Sequence, residues 1–266
     1  MAGNALAVVQ DADGVDDATM GAFARETRLS ETTFVQTAAA EGADYRNRIW
    51  TVGGEVPFAG HPSLGTAVAV AHARGERAAS YVQETGAGSQ PIDVQRDGDL
   101  WRASMLQEPP VFEKKPEAAH VMAAAGLLPG DADPELPPQA ISTGLMTLVA
   151  PVRSPDAIAR ARPDLDLVRS LLAAAAAESL YLIWHEDGAV RARMFSPLVV
   201  EGEDPATGSA AGPACAYLHR HGRASRVEIT QGVEIGRPSV LRAEVDGERV
   251  RVSGDVVVVV EGTVRL

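Results

Sequence analysis

Two stretches of this chain resemble each other, and this internal repeat constrains the fold more than any single motif does. Residues 46–51 and 191–196 are extended runs that mix arginine with apolar side chains. Each run is followed by a loop that carries one polar side chain beside a proline, and then by a predicted helix of small residues. Self-similar halves predict two like domains. We therefore expect a functional site between the halves, with one polar loop from each.

The composition is that of a globular protein and argues against some partners. The chain has 266 residues, of which 45% are hydrophobic and 23% are charged, enough for two domains with separate cores. The formal net charge of -12 disfavours nucleic acid and anionic membranes, because phosphate binding needs clustered Lys and Arg. A small anionic substrate remains compatible with this charge, since local hydrogen-bond donors can outweigh it.

Several classes of protein are disfavoured by what the sequence lacks. It has no apolar run of about 18 residues, and its N-terminus does not have the pattern of a signal peptide. Cys215 is the only cysteine, so no internal disulfide is expected and a cytoplasmic location is predicted. The thiol falls inside a predicted buried helix, where cysteines are usually inert. No His, Cys or carboxylate spacing indicates a metal site.

The predicted elements favour an α+β fold. In each half, several short strands accompany one helix that is apolar on nearly all sides, which is typical of a buried helix. These helices are predicted near 62–73 and 208–220. We predict two pseudo-symmetric domains, 1–108 and 109–266, each a barrel-like curled β-sheet around its central helix. A last strand is predicted at 256–260 and can cross back to the first domain.

Two side chains of the first half are candidates for catalysis. Glu31 lies between a predicted helix end and a strand. It is either an ordinary surface acid or, if it points into a cleft, a catalytic base. His61 is expected near the N-cap of the first central helix, because Pro62 is favoured at the first helical position. A solvated or structural histidine is the alternative interpretation.

The loop before the second central helix is the most informative one. Asp204 precedes Pro205, which favours extended backbone at the aspartate. The amides of Gly208, Ser209 and Ala210 open the helix and are expected to form an anion site. An ordinary capped helix is the alternative. The loop has neither the dinucleotide nor the P-loop glycine pattern, so nucleotide binding is unsupported.

Four blocks of the sequence resemble the hallmark blocks of the PhzF-like isomerase family of phenazine biosynthesis. They are residues 29–35, 57–65, 203–213 and 231–239, in the order of the family and together spanning essentially the whole chain. The resemblance implies the diaminopimelate-epimerase fold, a homodimer, and catalysis without cofactor or metal. The best-understood members isomerise trans-2,3-dihydro-3-hydroxyanthranilate to a ketone.

The resemblance also implies roles for individual residues. Glu31 is the acid/base that removes the ring C3 proton and returns a proton at C1. His61 and Asp204 are the further catalytic candidates beside the substrate. The substrate-binding candidates are Gly60, Gly208, Ser209 and Ala210. The amides of the last three are expected to hold the substrate carboxylate.

Two departures and two alternatives accompany this interpretation. The chain starts later than family members do, with Ala5 where a proline is usual, so the first strand is expected to be missing. Racemases of this fold use two cysteines, which a single cysteine excludes. A family relative acting on another small amino or hydroxy acid is the first alternative. A non-catalytic small-ligand binder is the second.

Overall fold

The chain divides into two compact units. The computed structural model describes residues 2–199 and 201–266. The N-terminal unit comprises Ala5–Leu106 and Ser253–Leu266, and the C-terminal unit comprises Gln107–Val252 with residues 2–4.

The N-terminal unit is a curled sheet with one helix inside it. Its elements are β1 (Leu6–Val9), α1 (Asp17–Thr27), β2 (Glu31–Gln36), β3 (Tyr45–Thr51), β4 (Gly54–Val56), α2 (Gly60–Ala73), β5 (Ala78–Thr85), β6 (Gly88–Asp97) and β7 (Leu100–Leu106). The strand order is β1-β2-β3-β5-β6-β7, with β4 beside β3. Helix α2 contacts all six strands of that path, which explains why its sequence is apolar on nearly all sides.

The period-two pattern of the strands determines which side chains reach α2. Ile92 and Val94 of β6, with Trp101 and Met105 of β7, are buried in one cluster with the helix, while their neighbours face outwards. The hairpin between β6 and β7 turns at Gly98, whose φ of 61° suits glycine.

The C-terminal unit repeats this plan and adds an outer helical layer. Its elements are β8 (Val111–Phe112), α3 (Ala118–Ala124), a 3₁₀ turn (Pro129–Asp131), β9 (Gln139–Ser142), β10 (Met146–Pro151), α4 (Pro155–Arg160), α5 (Leu165–Ala175), β11 (Ser179–Glu186), β12 (Ala189–Phe195), β13 (Glu203–Asp204), α6 (Gly208–Arg220), β14 (Arg226–Gln231) and β15 (Ser239–Asp246). The last strand, β16 (Arg249–Val256), begins in this unit, and its residues from Ser253 onward are assigned to the N-terminal unit. The strand order is β8-β9-β10-β11-β12-β14-β15-β16, with β13 beside β12.

Two separate cores flank this second sheet. Helix α6 packs against β9, β10, β11, β14 and β15 in one core. Helices α3, α4 and α5 contribute to another, which contains Val121, Ile158 and Leu172 and the strand residues Leu148 and Leu182. Leu182 and its neighbour Ile183 thus belong to opposite cores, as expected where consecutive strand side chains alternate. The predicted α+β class and the central helix of each half are confirmed.

One predicted strand was wrong. The valine run at 256–260 does not form a strand, since β16 ends at Val256 and residues 257–266 carry no helix or strand. Val257 and Val260 are 56% and 84% exposed. Valine favours a strand only where a neighbouring strand supplies hydrogen bonds and packing. Among the described residues, no helix is long and apolar enough to cross a bilayer.

Candidate active site

Glu31 and His61 lie together in the N-terminal unit. Glu31 is the first residue of β2, and His61 is the second residue of α2. The Nε2 atom of His61 is 3.4 Å from Oε2 of Glu31, and the two side chains are 20% and 18% exposed. The structure therefore brings these two predicted site residues into one partly buried cluster.

His61 lies near the N-cap of α2, as predicted, but the predicted place of Pro62 at the first helical position was wrong. Helix α2 begins at Gly60 with Ala59 as its N-cap, so Pro62 is the third helical residue rather than the first. Proline is tolerated there because the first four amides of a helix have no partner within it. The shift places His61 inside the first turn, next to the glycine that opens the helix.

The imidazole of His61 is uncharged at neutral pH. Burial lowers the pKa of His61 to about 3, while a hydrogen bond to the backbone of Ala5 acts in the opposite direction. A positive imidazolium beside Glu31 would favour the ionised carboxylate and weaken it as a base. The neutral ring places no such charge beside the Glu31 carboxyl.

Two buried threonines attach the Glu31 strand to the His61 helix. Thr33 shares a face of β2 with Glu31, because side chains alternate along a strand. Its hydroxyl forms a 2.8 Å hydrogen bond with the hydroxyl of Thr66 on α2, and both residues are buried. This bond holds β2 and α2 together near the candidate base. The period-two spacing from Glu31 was the only sequence signal for it.

We expect Thr66→Val to destabilise the protein by about 1–3 kcal/mol, because the hydroxyl of Thr33 loses a buried partner. Urea unfolding of the single variants and of Thr33→Val/Thr66→Val measures the effect. The double variant should cost less than the sum of the singles, since it leaves no unpaired hydroxyl. Strictly additive costs would contradict the pairing.

Asp204 is held by side chains of the C-terminal unit. It lies on β13 beside Met194 of β12, and it is buried. The amide of Asn4 donates to its Oδ1 at 2.8 Å, and the hydroxyl of Thr207 donates to its Oδ2 at 2.5 Å. Burial raises the pKa of Asp204 to about 6, and the hydrogen bonds from Thr207 and Asn4 oppose that rise. A carboxyl with such a pKa can exchange a proton near neutral pH.

The raised pKa of Asp204 makes stability depend on pH. An aspartate that binds its proton more tightly in the folded state than in the unfolded state stabilises the fold when it is protonated. This stabilisation is fully present below the unfolded pKa of about 4, and it is lost as the pH rises through the folded pKa of about 6. We expect the unfolding free energy of the wild type, relative to Asp204→Asn, to fall by about 2–3 kcal/mol between pH 4 and pH 7. Urea titrations of both proteins at four pH values measure it. Parallel pH profiles would contradict the raised pKa.

The start of α6 provides fewer available amides than predicted. The amide of Ala210 donates to the carbonyl of Thr207 at 3.1 Å, so its predicted role as a free donor was wrong. When the first turn of a helix forms such a bond to a residue three positions earlier, the amide is no longer available to a ligand. Gly208 and Ser209 open the helix without a side-chain cap and without an acid in the first turn. Their amides remain the candidates for anion binding.

Buried side chains fix this turn from two sides. Gln107 donates to the carbonyl of Gly208 at 3.0 Å and accepts from Thr143 at 2.6 Å. Gln231 donates to the carbonyl of Asp204 at 2.7 Å and to the hydroxyl of Thr207 at 2.9 Å. No pattern in the sequence indicated the roles of Asn4, Thr207 and Gln231, although Thr207 and Gln231 lie within the blocks that resemble the family.

Cys215 does not take part in either cluster. It lies inside α6, its thiol is within 3.7 Å of the carbonyl of Ser225, and burial raises its pKa to about 12. Since the thiolate is the reactive form, this cysteine is unsuited to proton transfer or nucleophilic attack near pH 7. Among residues 2–199 and 201–266, no group of three or more His, Cys, Asp or Glu side chains is arranged to hold a metal ion.

Comparison with known proteins identifies the family. The phenazine biosynthesis-like protein family, PhzC-PhzF, matches residues 1–262. The chain belongs to this family. It is 38% identical to the trans-2,3-dihydro-3-hydroxyanthranilate isomerase of Pseudomonas fluorescens over 99% of this chain and 94% of the relative. The resemblance stated from the sequence blocks is thereby confirmed, and the protein is a PhzF-like isomerase.

Solved structures agree with this family and with its fold. A predicted epimerase from Pseudomonas aeruginosa is 35% identical and superposes with a TM-score of 0.85, covering 98% of this chain and 95% of the other. A hydroxyproline epimerase from Agrobacterium vitis is 14% identical with a TM-score of 0.60, covering 92% and 80% of the two chains, and shows the fold alone. The PhzF-like isomerase thus has the epimerase-like fold that was predicted.

Proposed function

We propose that this PhzF-like isomerase converts trans-2,3-dihydro-3-hydroxyanthranilate into its ketone isomer by carboxylate acid/base catalysis without a cofactor. The observation that carries the proposal is the contact of Glu31 with a neutral His61. The relative from Pseudomonas fluorescens, which has this activity by name, supports the choice of substrate.

Glu31 is the proposed base and acid. Its carboxylate removes the proton from C3 of the ring, the freed electron pair moves into the conjugated system, and a proton is returned at C1. This step gives an enol, which becomes the ketone when its hydroxyl loses a proton and a ring carbon gains one. One proton leaves carbon and one is added, so the elemental formula and the oxidation level of the substrate do not change. The balance therefore requires no redox cofactor. Because Glu31 is partly buried, fewer water molecules can hydrogen-bond to its carboxylate in competition with the substrate.

The other candidates bind the substrate and help to place protons. We propose that neutral His61 and Gly60 contact its polar groups, and that Asp204 exchanges a proton near neutral pH. Ser209 and the amides of Gly208 and Ser209 are proposed to bind the carboxylate, since a helix N-terminus favours negative charge. The chain's net charge of -12 makes such local donors necessary for an anionic substrate.

A second candidate is isomerisation or epimerisation of another small amino or hydroxy acid. The 35% identical structure is described as a predicted epimerase, which indicates that family membership alone leaves the substrate open. The same base and anion site serve this reaction, because it also begins with removal of a carbon-bound proton from a molecule that carries a carboxylate.

An assay with a substrate panel separates the two candidates. Purified protein is incubated with trans-2,3-dihydro-3-hydroxyanthranilate, and consumption is followed by absorbance. Parallel samples contain small amino and hydroxy acids in D2O, and exchange of their α-protons is followed by NMR. Conversion of the cyclic compound supports the first candidate. Exchange only in another acid supports the second and overturns the first.

The proposed assembly is a homodimer. Sedimentation equilibrium is expected to give twice the chain mass of 27.9 kDa at micromolar concentration. A single species at the chain mass, in protein that remains folded, would contradict it.

A further inference from the structure

Thr207 occupies a capping position but does not cap its helix. It is the N-cap residue of α6, and its side chain makes no capping hydrogen bond. Threonine at this position ordinarily accepts a hydrogen bond from an amide of the first turn, which stabilises the helix by about 1 kcal/mol. Here the hydroxyl is bound instead to Asp204 and Gln231. A threonine that binds other side chains instead of capping its own helix indicates a functional role for its hydroxyl.

The orientation of the Gln231 amide is determined by two donors. Its Oε1 accepts from the hydroxyl of Tyr181 at 2.9 Å and from the backbone amide of Thr207 at 3.4 Å. Its Nε2 therefore faces the other way and donates to the carbonyl of Asp204 and to the hydroxyl oxygen of Thr207. Gln231 and Tyr181 are both fully buried, so water does not compete for these bonds.

This arrangement decides where the Thr207 proton points. A hydroxyl has one proton to donate. Because its oxygen accepts from Gln231, that proton is directed at Oδ2 of Asp204. Asn4 directs an amide proton at Oδ1 of the same carboxyl group. Both oxygens of Asp204 thus receive donors, which stabilises the carboxylate and opposes the rise in pKa that burial causes.

In the part of the chain that the structure describes, the charged and titratable groups around Asp204 do not form an ion pair with it. Its neighbour Glu203 raises the pKa of Asp204, and Glu203 itself is paired with Arg193. Tyr181 faces Asp204 from β11 as a neutral phenol, since burial raises its pKa. Arg237 binds the carbonyl of Gly3, the residue before Asn4. Hydrogen bonds, rather than an ion pair, therefore offset the free-energy cost of burying the Asp204 charge.

We propose that Thr207, with its hydroxyl oriented by Gln231, is a positioning residue that holds Asp204 ionised as a hydrogen-bond acceptor. Its consequence for turnover rests on the proposed function, but the effect on Asp204 does not. With the hydroxyl absent, the buried carboxyl keeps its proton at neutral pH and can no longer accept one from a substrate.

The test measures the titration of Asp204 directly. Aspartate is labelled with carbon-13 at its carboxyl group, and the Asp204 resonance is assigned by its loss in Asp204→Asn. We expect Thr207→Val to raise the pKa by about one unit or more, because a hydrogen bond to the charged form is lost. Thr207→Ser keeps the hydroxyl and is expected to titrate like the wild type.

Thr143→Val is the matched control. Thr143 is also buried, and its hydroxyl also donates to a buried oxygen, that of Gln107. This variant loosens the same helix start without touching Asp204, so the pKa of Asp204 should not change. An unshifted pKa in Thr207→Val, or an equal shift in Thr143→Val, would overturn the proposal. If Thr207→Val does not fold, Gln231→Leu replaces it, and a pKa equal to that of the wild type overturns the proposal likewise.

A kinetic arm separates this proposal from the proposed function. Thr207→Val should lose kcat at pH 7 and regain it above the raised pKa, whereas a merely structural defect would persist at every pH. If no substrate of the panel is converted by any variant, the proposed function fails. The carbon-13 titration, which needs no substrate, still decides the role of Thr207.

Discussion

Replacement of Glu31 by glutamine is expected to lower kcat by about 10²–10⁴-fold with a smaller change in KM. The amide keeps the size of the side chain and a contact with His61, but it cannot accept a proton from carbon. Because the lost interaction belongs to the transition state, the loss falls on kcat rather than on substrate binding. Initial rates measured by absorbance at several substrate concentrations separate the two constants.

Glu26→Gln is the matched control for this variant. Glu26 lies on α1, is exposed, and precedes Glu31 by only five positions in the printed sequence. It undergoes the same chemical change away from the cluster, so its rate should equal that of the wild type. A Glu31→Gln variant that binds substrate and turns it over at the wild-type rate would remove the base assignment. A protein that binds the compound tightly in both forms without turnover would be the non-catalytic binder.

Gly212→Ala is expected to destabilise the C-terminal unit by about 2–4 kcal/mol, from overpacking and from the broken hydrogen bonds of Gln107. An added Cβ would lie 1.8 Å from Oε1 of Gln107 and 2.8 Å from Oγ1 of Thr143. Both side chains are buried and hydrogen-bonded to each other, so neither can move aside freely. In a solvent-exposed helix the same change would stabilise the helix by about 1 kcal/mol, so the sign of the change in unfolding free energy shows whether the added Cβ is obstructed.

The background variant Gln107→Ala tests the stated cause. Urea unfolding is compared for the wild type, Gly212→Ala, Gln107→Ala and the double variant. Once the obstructing side chain is removed, the cost of Gly212→Ala should shrink or change sign. An equal cost in both backgrounds would show that the close approach of Gln107 to Gly212 is not responsible.

Local patterns in the sequence predicted the elements that position the site. The bounds of α6 were predicted from a run of small apolar residues that opens at Gly208 and ends in basic residues, and the structure has Gly208–Arg220. The contrasting case is the valine run at 256–260, whose composition suits a strand but which stays exposed without one. Strand propensity describes a side chain's fit to a sheet, and only tertiary structure supplies the sheet.

The support around Asp204 was beyond sequence reasoning. Asn4 reaches Asp204 across 200 positions of sequence, and Gln231 reaches Thr207 across 24. No periodicity or turn signal links residues so far apart. The role of Thr207 could not be predicted either, since a threonine directly before a helix predicts an ordinary N-cap. The predicted place of Pro62 was wrong because proline favours the first helical position but is also tolerated two residues later.

The most direct measurement of the central claim is proton NMR of trans-2,3-dihydro-3-hydroxyanthranilate in D2O with the wild-type protein, after dialysis against a chelator and with no cofactor added. We expect the C3 proton signal to disappear as the substrate is consumed, while hydrogen or deuterium is incorporated at C1 of a product of unchanged composition. A folded protein that leaves the C3 signal and the substrate unchanged would contradict the proposed reaction.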